Sequence, residues 1–109
     1  RMGSLSQDSK IMFANEPYAR ILGYVVDDII GRPISQFISE RDLSLVMERH
    51  KRRLNGESMP NQYDFHLVHR DGVTEMLVSM SFSRIMYLGA PAALERYAMY
   101  LNRERQNGR

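Results

Sequence analysis

The chain of 109 residues contains no cysteine. That absence excludes disulfides, thiolate metal sites, cysteine nucleophiles and any covalent adduct between a cysteine and a flavin. It also contains no apolar run near the ~18 residues needed to cross a bilayer, and no signal-peptide pattern at its start. A cytoplasmic setting is therefore expected, with no membrane insertion of this domain. There is no glycine-rich phosphate loop, because Gly23 and Gly31 stand alone as helix stops. Internal repeats and low-complexity segments are absent too. Charge of one sign is scarce: the net charge is +2. The positive residues gather at Arg49–Arg53 and Arg103–Arg109. No aromatic residues interleave with them, so they read as a solvated helix face and a solvated tail rather than a nucleic-acid surface.

What is present is ordinary for one globular domain: 43% hydrophobic and 26% charged residues. Residues 1–7 read either as a non-native remnant or, at Met2–Gln7, as a weak edge strand, and Asp8-Ser9 reads as a turn. Lys10–Ala14 reads as a strand with Ile11 and Phe13 on one face. Asn15 is a helix N-cap, and Tyr18, Ile21 and Leu22 form the stripe of a short helix that Gly23 ends. One or two helical turns follow at residues 27–30, closed by Gly31, and another at residues 35–38. Ser39 opens the longest helix, with Asp42 completing a pair like a capping box and Asn55-Gly56 stopping it. Its apolar side carries Leu43, Val46, Met47, His50 and Leu54. From Asn61 the period changes to two. Tyr63, Phe65 and Leu67 alternate with polar residues, Arg70-Asp71-Gly72 is a hairpin turn, and Val73–Tyr87 is a long second strand. After Gly89-Ala90-Pro91, residues 93–104 fit a strand or a helix. A strand is preferred, because two hairpin strands alone are marginal. Residues 1–104 thus form one α+β domain, and 105–109 a polar tail or the start of a linker.

Three segments in order, IMFANEPYARILGY, DDIIGRPISQFISERD and YDFHLVHRDGVTEMLVSMS, resemble the PAS family of sensor domains over nearly the whole chain. The second carries the family's pattern at Asp28, Ile29, Ile30, Gly31, Arg32 and Pro33, and then at Glu40 and Asp42. The third carries its hairpin turn at Arg70, Asp71 and Gly72. The resemblance implies a PAS-like fold: a five-stranded antiparallel sheet with short helices and one longer helix on one face. It also implies a sensory or regulatory module that commonly pairs with itself. Such modules sit inside longer bacterial signalling proteins, such as histidine kinases of two-component systems, cyclic-dinucleotide enzymes or transcription regulators, whose output domain is a partner.

Catalysis has little support in these residues. Asp27 and Asp28 are adjacent and diverge rather than converge. Ser79, Ser81 and Ser83 alternate on one strand as a polar sheet face, without the elbow a nucleophilic serine needs. His66 and His69 point to opposite strand faces and share no metal, so no metal site is expected. His50 lies on the helix from which haem-binding members of the family ligate iron. It stands only six residues before Gly56, whereas the family's ligand sits about three turns before that glycine, so haem is disfavoured. No cofactor is named. The ligand pocket expected from the sequence is walled by Phe13, Tyr18, Leu22, Ile30, Ile34 and Phe37, and by Val46, His50, Tyr63, Phe65, Val78 and Met80. It would take a small apolar ligand, or be filled by methionine in a ligand-free dimerisation scaffold. Leu77, Tyr97 and Leu101 are the candidate face of a homodimer.

Overall fold

The computed structural model describes the backbone of residues 2–105 and the side chains of residues 2–97. Chain order is β1 (Gly3–Gln7), β2 (Lys10–Ala14), α1 (Glu16–Leu22), 3₁₀ turns at Val26–Asp28 and Ile34–Phe37, α2 (Glu40–Leu54), β3 (Gln62–Val68), β4 (Thr74–Tyr87) and β5 (Ala90–Arg105). The five strands form one antiparallel sheet in the order β2-β1-β5-β4-β3. The helices pack on one face of it, as the PAS-like pattern implies. Residues 93–104 are strand, the preferred of the two alternatives.

Three local expectations are corrected. β1 is not an edge strand, since β2 and β5 flank it on either side. Its polar residues suggest an edge, yet Ser4 and Ser6 are buried and turn to the helix side. Ile11 and Phe13 do not share a face. The β1–β2 register runs Leu5↔Phe13 and then Ser6↔Ile11, so a bulge at Met12 resets the alternation. Ile11 is therefore buried, whereas Phe13 is 59% exposed on the outer face. Ser39 and Asp42 do not cap α2 as a box. The Ser39 hydroxyl makes no cap hydrogen bond and donates instead to buried Glu75 on β4 at 2.6 Å. Asp42 accepts from the His66 backbone amide on β3, at 2.7 Å.

These contacts clamp the start of α2 to the β3–β4 hairpin. Ser39 donates its amide to the His66 carbonyl at 2.8 Å, and the Arg41 guanidinium donates to Glu75 at 2.7 Å. The far end of α2 is held by Arg53, which donates to the Pro60 carbonyl at 2.6 Å. The hairpin turn is fixed locally. The Asp71 carboxylate accepts from the Val73 and Thr74 amides at 2.8 Å each and from the Thr74 hydroxyl at 2.7 Å, and these bonds hold it well below the usual carboxylate range.

Gly23 ends α1 in the left-handed region, at φ 86°, and its amide reaches the Ala19 and Arg20 carbonyls. A Cβ there would meet the His69 ring at 2.5 Å, whereas Gly56, at φ 87°, has open space around it. Gly23→Ala should cost about 2–4 kcal/mol, strain and collision together, and Gly56→Ala only about 1 kcal/mol from strain alone. Urea unfolding of the two variants checks this, and equal losses would remove the His69 contact from the account.

Candidate functional site

Between α2 and the sheet the core is not closed. Ile11, Ala14, Tyr18, Leu22, Ile29, Phe37, Val46, Phe65, Met76, Val78 and Met80 pack as one buried cluster. Beside it an enclosed cavity of about 30 Å³ remains. Every strand except β2, both helices and the second 3₁₀ turn contribute to its lining. That volume suits one or two water molecules, since a single water needs roughly 10–15 Å³ measured in this way. It falls far short of the roughly 300–1,000 Å³ of drug-sized sites, so a tetrapyrrole or a flavin ring does not fit this arrangement.

Of the sequence-predicted wall, the structure brings Tyr18, Ile34, Val46, His50, Tyr63 and Phe65 to the cavity. Leu22, Phe37, Val78 and Met80 are buried in the adjoining core instead. Phe13 and Ile30 are corrected. The β2 bulge turns Phe13 outward, and the tight turn at Val26–Asp28 sends Ile29 inward and leaves Ile30 40% exposed. The dimer-face trio does not share one face. β4 and β5 pair as Met80↔Tyr97 with register shifts at Leu77/Val78 and Ser79/Met80, so Tyr97 joins Met80 against the core while Leu77 lies on the other face. The Leu101 side chain lies outside the described residues.

The lining is more polar than the apolar pattern suggests. Arg53, read as solvated, is 5% exposed. It follows Val46 and His50 at helical spacing, a signal hidden by the run of basic residues around it. Its guanidinium lies over the Phe82 ring at 4.7 Å. The Arg49 guanidinium covers the Tyr63 ring at 4.4 Å, and that ring stacks on Phe82 with centroids 5.0 Å apart. Glu95, on β5, turns its carboxyl inward. It accepts from the Ser4 hydroxyl at 2.8 Å and is hydrogen-bonded to the Tyr18 hydroxyl. No periodicity singles Glu95 out, because it sits in a stretch equally readable as helix.

Burial sets the protonation of this group. It holds the Tyr18 hydroxyl well above the tyrosine range, with the Glu95 charge adding to the effect. It raises Glu95 against the opposing pull of Ser4, Tyr18 and Arg53. His50 is lowered by burial first and by the Arg53 cation second, which favours the neutral ring. Tyr63 is raised by burial despite Arg53 nearby. Two buried polar atoms here have no hydrogen-bond partner of good geometry, His50 Nε2 and Tyr63 Oη. Arg53 still acts on Tyr63, as a nearby cation and as a hydrogen-bond donor of loose geometry. Elsewhere among the described residues, no group of three or more histidine or acidic side chains could hold a metal ion, and no helix is long and apolar enough to cross a membrane.

The family model described as "PAS domain" matches residues 2–90. A tryptophan-to-alanine variant of the PAS-B domain of Drosophila melanogaster Cycle, with bound glycerol, is similar with a TM-score of 0.73 at 13% identity, covering 91% of this chain and 99% of that one. The wild-type Cycle PAS-B domain with bound ethylene glycol gives 0.66 at 13% identity, with the same 91% and 99% coverage. The PAS domain of an HTR-like protein from Haloarcula marismortui gives 0.67 at 24% identity, covering 89% and 80%. At these identities the structures show the fold alone. No curated protein matches the chain.

The Glu95 carboxyl and the His50 ring pull stability in opposite directions with pH. The folded state binds the Glu95 proton more tightly than the unfolded chain, so that contribution is complete below pH 4.5 and is lost as pH rises through the folded value. For His50 the unfolded chain binds the proton more tightly, so stability falls as pH drops through 6.5. In Glu95→Gln the first effect is gone. The unfolding free energy of the variant minus that of the wild type should therefore climb as the pH rises above 4.5. A flat difference in urea titrations would mean that Glu95 is not buried as a carboxyl.

Proposed function

Because the chain belongs to the PAS domain family, generally a sensory and signalling module, we propose that it is a non-catalytic cytoplasmic sensor domain of a larger signalling protein, holding one small polar molecule in the cavity between α2 and the sheet. The histidine kinases, cyclic-dinucleotide enzymes and transcription regulators expected from the sequence remain the proposed classes of parent protein. One observation carries the reading: His50 Nε2 and Tyr63 Oη are both buried, neither has a hydrogen-bond partner of good geometry, and His50 and Tyr63 both line the same cavity. A buried polar atom left unpaired costs about 1–3 kcal/mol, so a molecule that pairs both has a substantial free-energy advantage.

This chemistry replaces the apolar ligand expected from the sequence. An apolar molecule would fill space and leave both atoms unpaired. A hydroxyl can donate to one and accept from the other, and a neutral His50 offers either role according to its tautomer. Anything larger than water displaces the wall of short helices, and that displacement is the proposed signal. The bound glycerol and ethylene glycol of the two Cycle structures are larger than this space and serve only as examples of small hydroxyl-bearing molecules held by a domain of this fold.

A second reading, a ligand-free dimerisation scaffold, has its own observation. Phe13 is 59% exposed on the outer sheet face, opposite Leu5, which itself pairs with Leu94. A homodimer through this face is the proposed assembly under either reading. It moves the candidate dimer residues from Leu77, Tyr97 and Leu101 to Phe13 and Leu94.

Tyr63→Phe separates the readings. A scaffold without a ligand should gain up to about 1 kcal/mol on losing an orphaned hydroxyl. A sensor should instead lose most of the thermal shift that wild type shows with small alcohols, diols and carboxylic acids. Native mass spectrometry of freshly purified wild type identifies any carried molecule. No shift and no adduct in wild type would leave only the scaffold, and Phe13→Glu should then still convert a dimer to a monomer in sedimentation.

A further inference from the structure

β4 outruns its neighbour on one side. β3 pairs with it from Gln62↔Ser81 to Val68↔Glu75, whereas β4 continues to Tyr87. Phe82–Tyr87 thus has β5 along one side and no strand along the other, an open edge of about 20 Å. At its inner limit the Phe82 amide donates to the Asn61 carbonyl at 2.7 Å. The two-residue turn at Leu88-Gly89 makes Tyr87↔Ala90 the closing pair, so antiparallel alternation directs the amides of Arg84 and Met86 to the open side with that of Phe82.

A groove of about 400 Å³ lies against this edge. Its charge is one-sided. Arg53, Arg84 and Arg96 line it with a single carboxylate, Glu57, which Arg52 already engages at 3.0 Å. The arginines approach from both faces of the sheet. Arg84 reaches the Leu54 carbonyl at the end of α2 and so lies on the helix side, whereas Arg96 stands opposite Ser81 on the outer side. Alternate side chains of an added strand would therefore meet a guanidinium whichever way they point. Beyond them Met86 and Leu88 stand 61% and 83% exposed at the hairpin tip.

We propose that the open β4 edge is a strand-addition site for an extended acidic segment of a partner protein. Main-chain hydrogen bonds to Arg84 and Met86 supply the register, and the exposed Arg84 and Arg96 select acidic residues. A second copy of this chain is a poor occupant, because edge-to-edge pairing would set Arg84 and Arg96 near their own counterparts in a chain of net charge +2. The site is separate from the cavity and does not depend on it.

The test uses a fluorescent eight-residue peptide of alternating glutamate and valine, read by anisotropy and by amide chemical shifts of the isotope-labelled protein. Binding should weaken with salt, and shifts should be confined to residues 57–62, to Ser81–Leu88 and to Arg96. A lysine-for-glutamate peptide should not bind. N-methylation of every second peptide amide, or the exposed pair Arg84→Glu with Arg96→Glu, should each weaken binding by about tenfold or more with the thermal midpoint held. Equal binding of the N-methylated peptide would reduce the site to unspecific charge. Shifts elsewhere, or no binding at millimolar peptide, would likewise overturn the proposal.

Discussion

The structure depends on β5 being paired on both sides. It is the last strand in sequence, yet it lies at the centre of the sheet, joined to β1 and β4. One pairing carries the N-terminal strands and the other carries the hairpin. Without the β1–β5 ladder, β1 and β2 would form an isolated hairpin, which is marginal in water. That ladder sets Ser4 opposite Glu95 and Ser6 opposite Ala93, and so decides which polar groups enter the core. Closing it also joins residues about ninety apart in sequence, a contact whose loop-closure entropy must be met by cooperative formation of the rest.

The helical wall packs on this sheet through one apolar cluster and is pinned by polar contacts at the two ends of α2. At one end Ser39, Arg41 and Asp42 bind Glu75 and His66, and at the other Arg53 binds the Pro60 carbonyl. Apolar residues such as Val46 fill the span between them, and the cavity lies along that span. A wall fixed at both ends and loosely filled in the middle has a natural place to yield. The charges at the fixed ends are poor places to yield, because separating Glu75 from its partners would leave a carboxylate 2% exposed without compensation.

The sheet was largely legible in the residues, and the site less so. Alternation located β3 and β4 because their inward residues, Phe65, Leu67, Met76, Val78 and Met80, follow an unbroken period of two. It failed at Phe13, where a one-residue bulge reverses the faces without altering composition. It failed again at Tyr97, where two register shifts intervene between that residue and Leu77. β1 looked like an edge because serine is read as solvent-facing, and only the three-dimensional partner, Glu95, explains burying Ser4. Arg53 was hidden for a similar reason: basic neighbours on α2 disguise one residue that turns inward and lies flat on Phe82.

The polar groups of the cavity conflict with simple stability, and the conflict itself is informative. Glu95 and Arg53 could be replaced by apolar residues of similar volume, and such replacements of buried charge are often neutral or stabilising. Tyr63 could be phenylalanine with no loss of stacking on Phe82. A core selected only to be firm would not hold a raised carboxyl, a lowered imidazole and an unpaired phenol around a space of about 30 Å³. Glu95 is hydrogen-bonded to Ser4 and Tyr18, so its cost is partly offset within the fold. His50 Nε2 is not offset by any described group, and Tyr63 Oη only loosely by Arg53. Their free energy is recovered only when something enters beside them, which makes the unpaired atoms, rather than the apolar lining, the chemically specific part of the cavity.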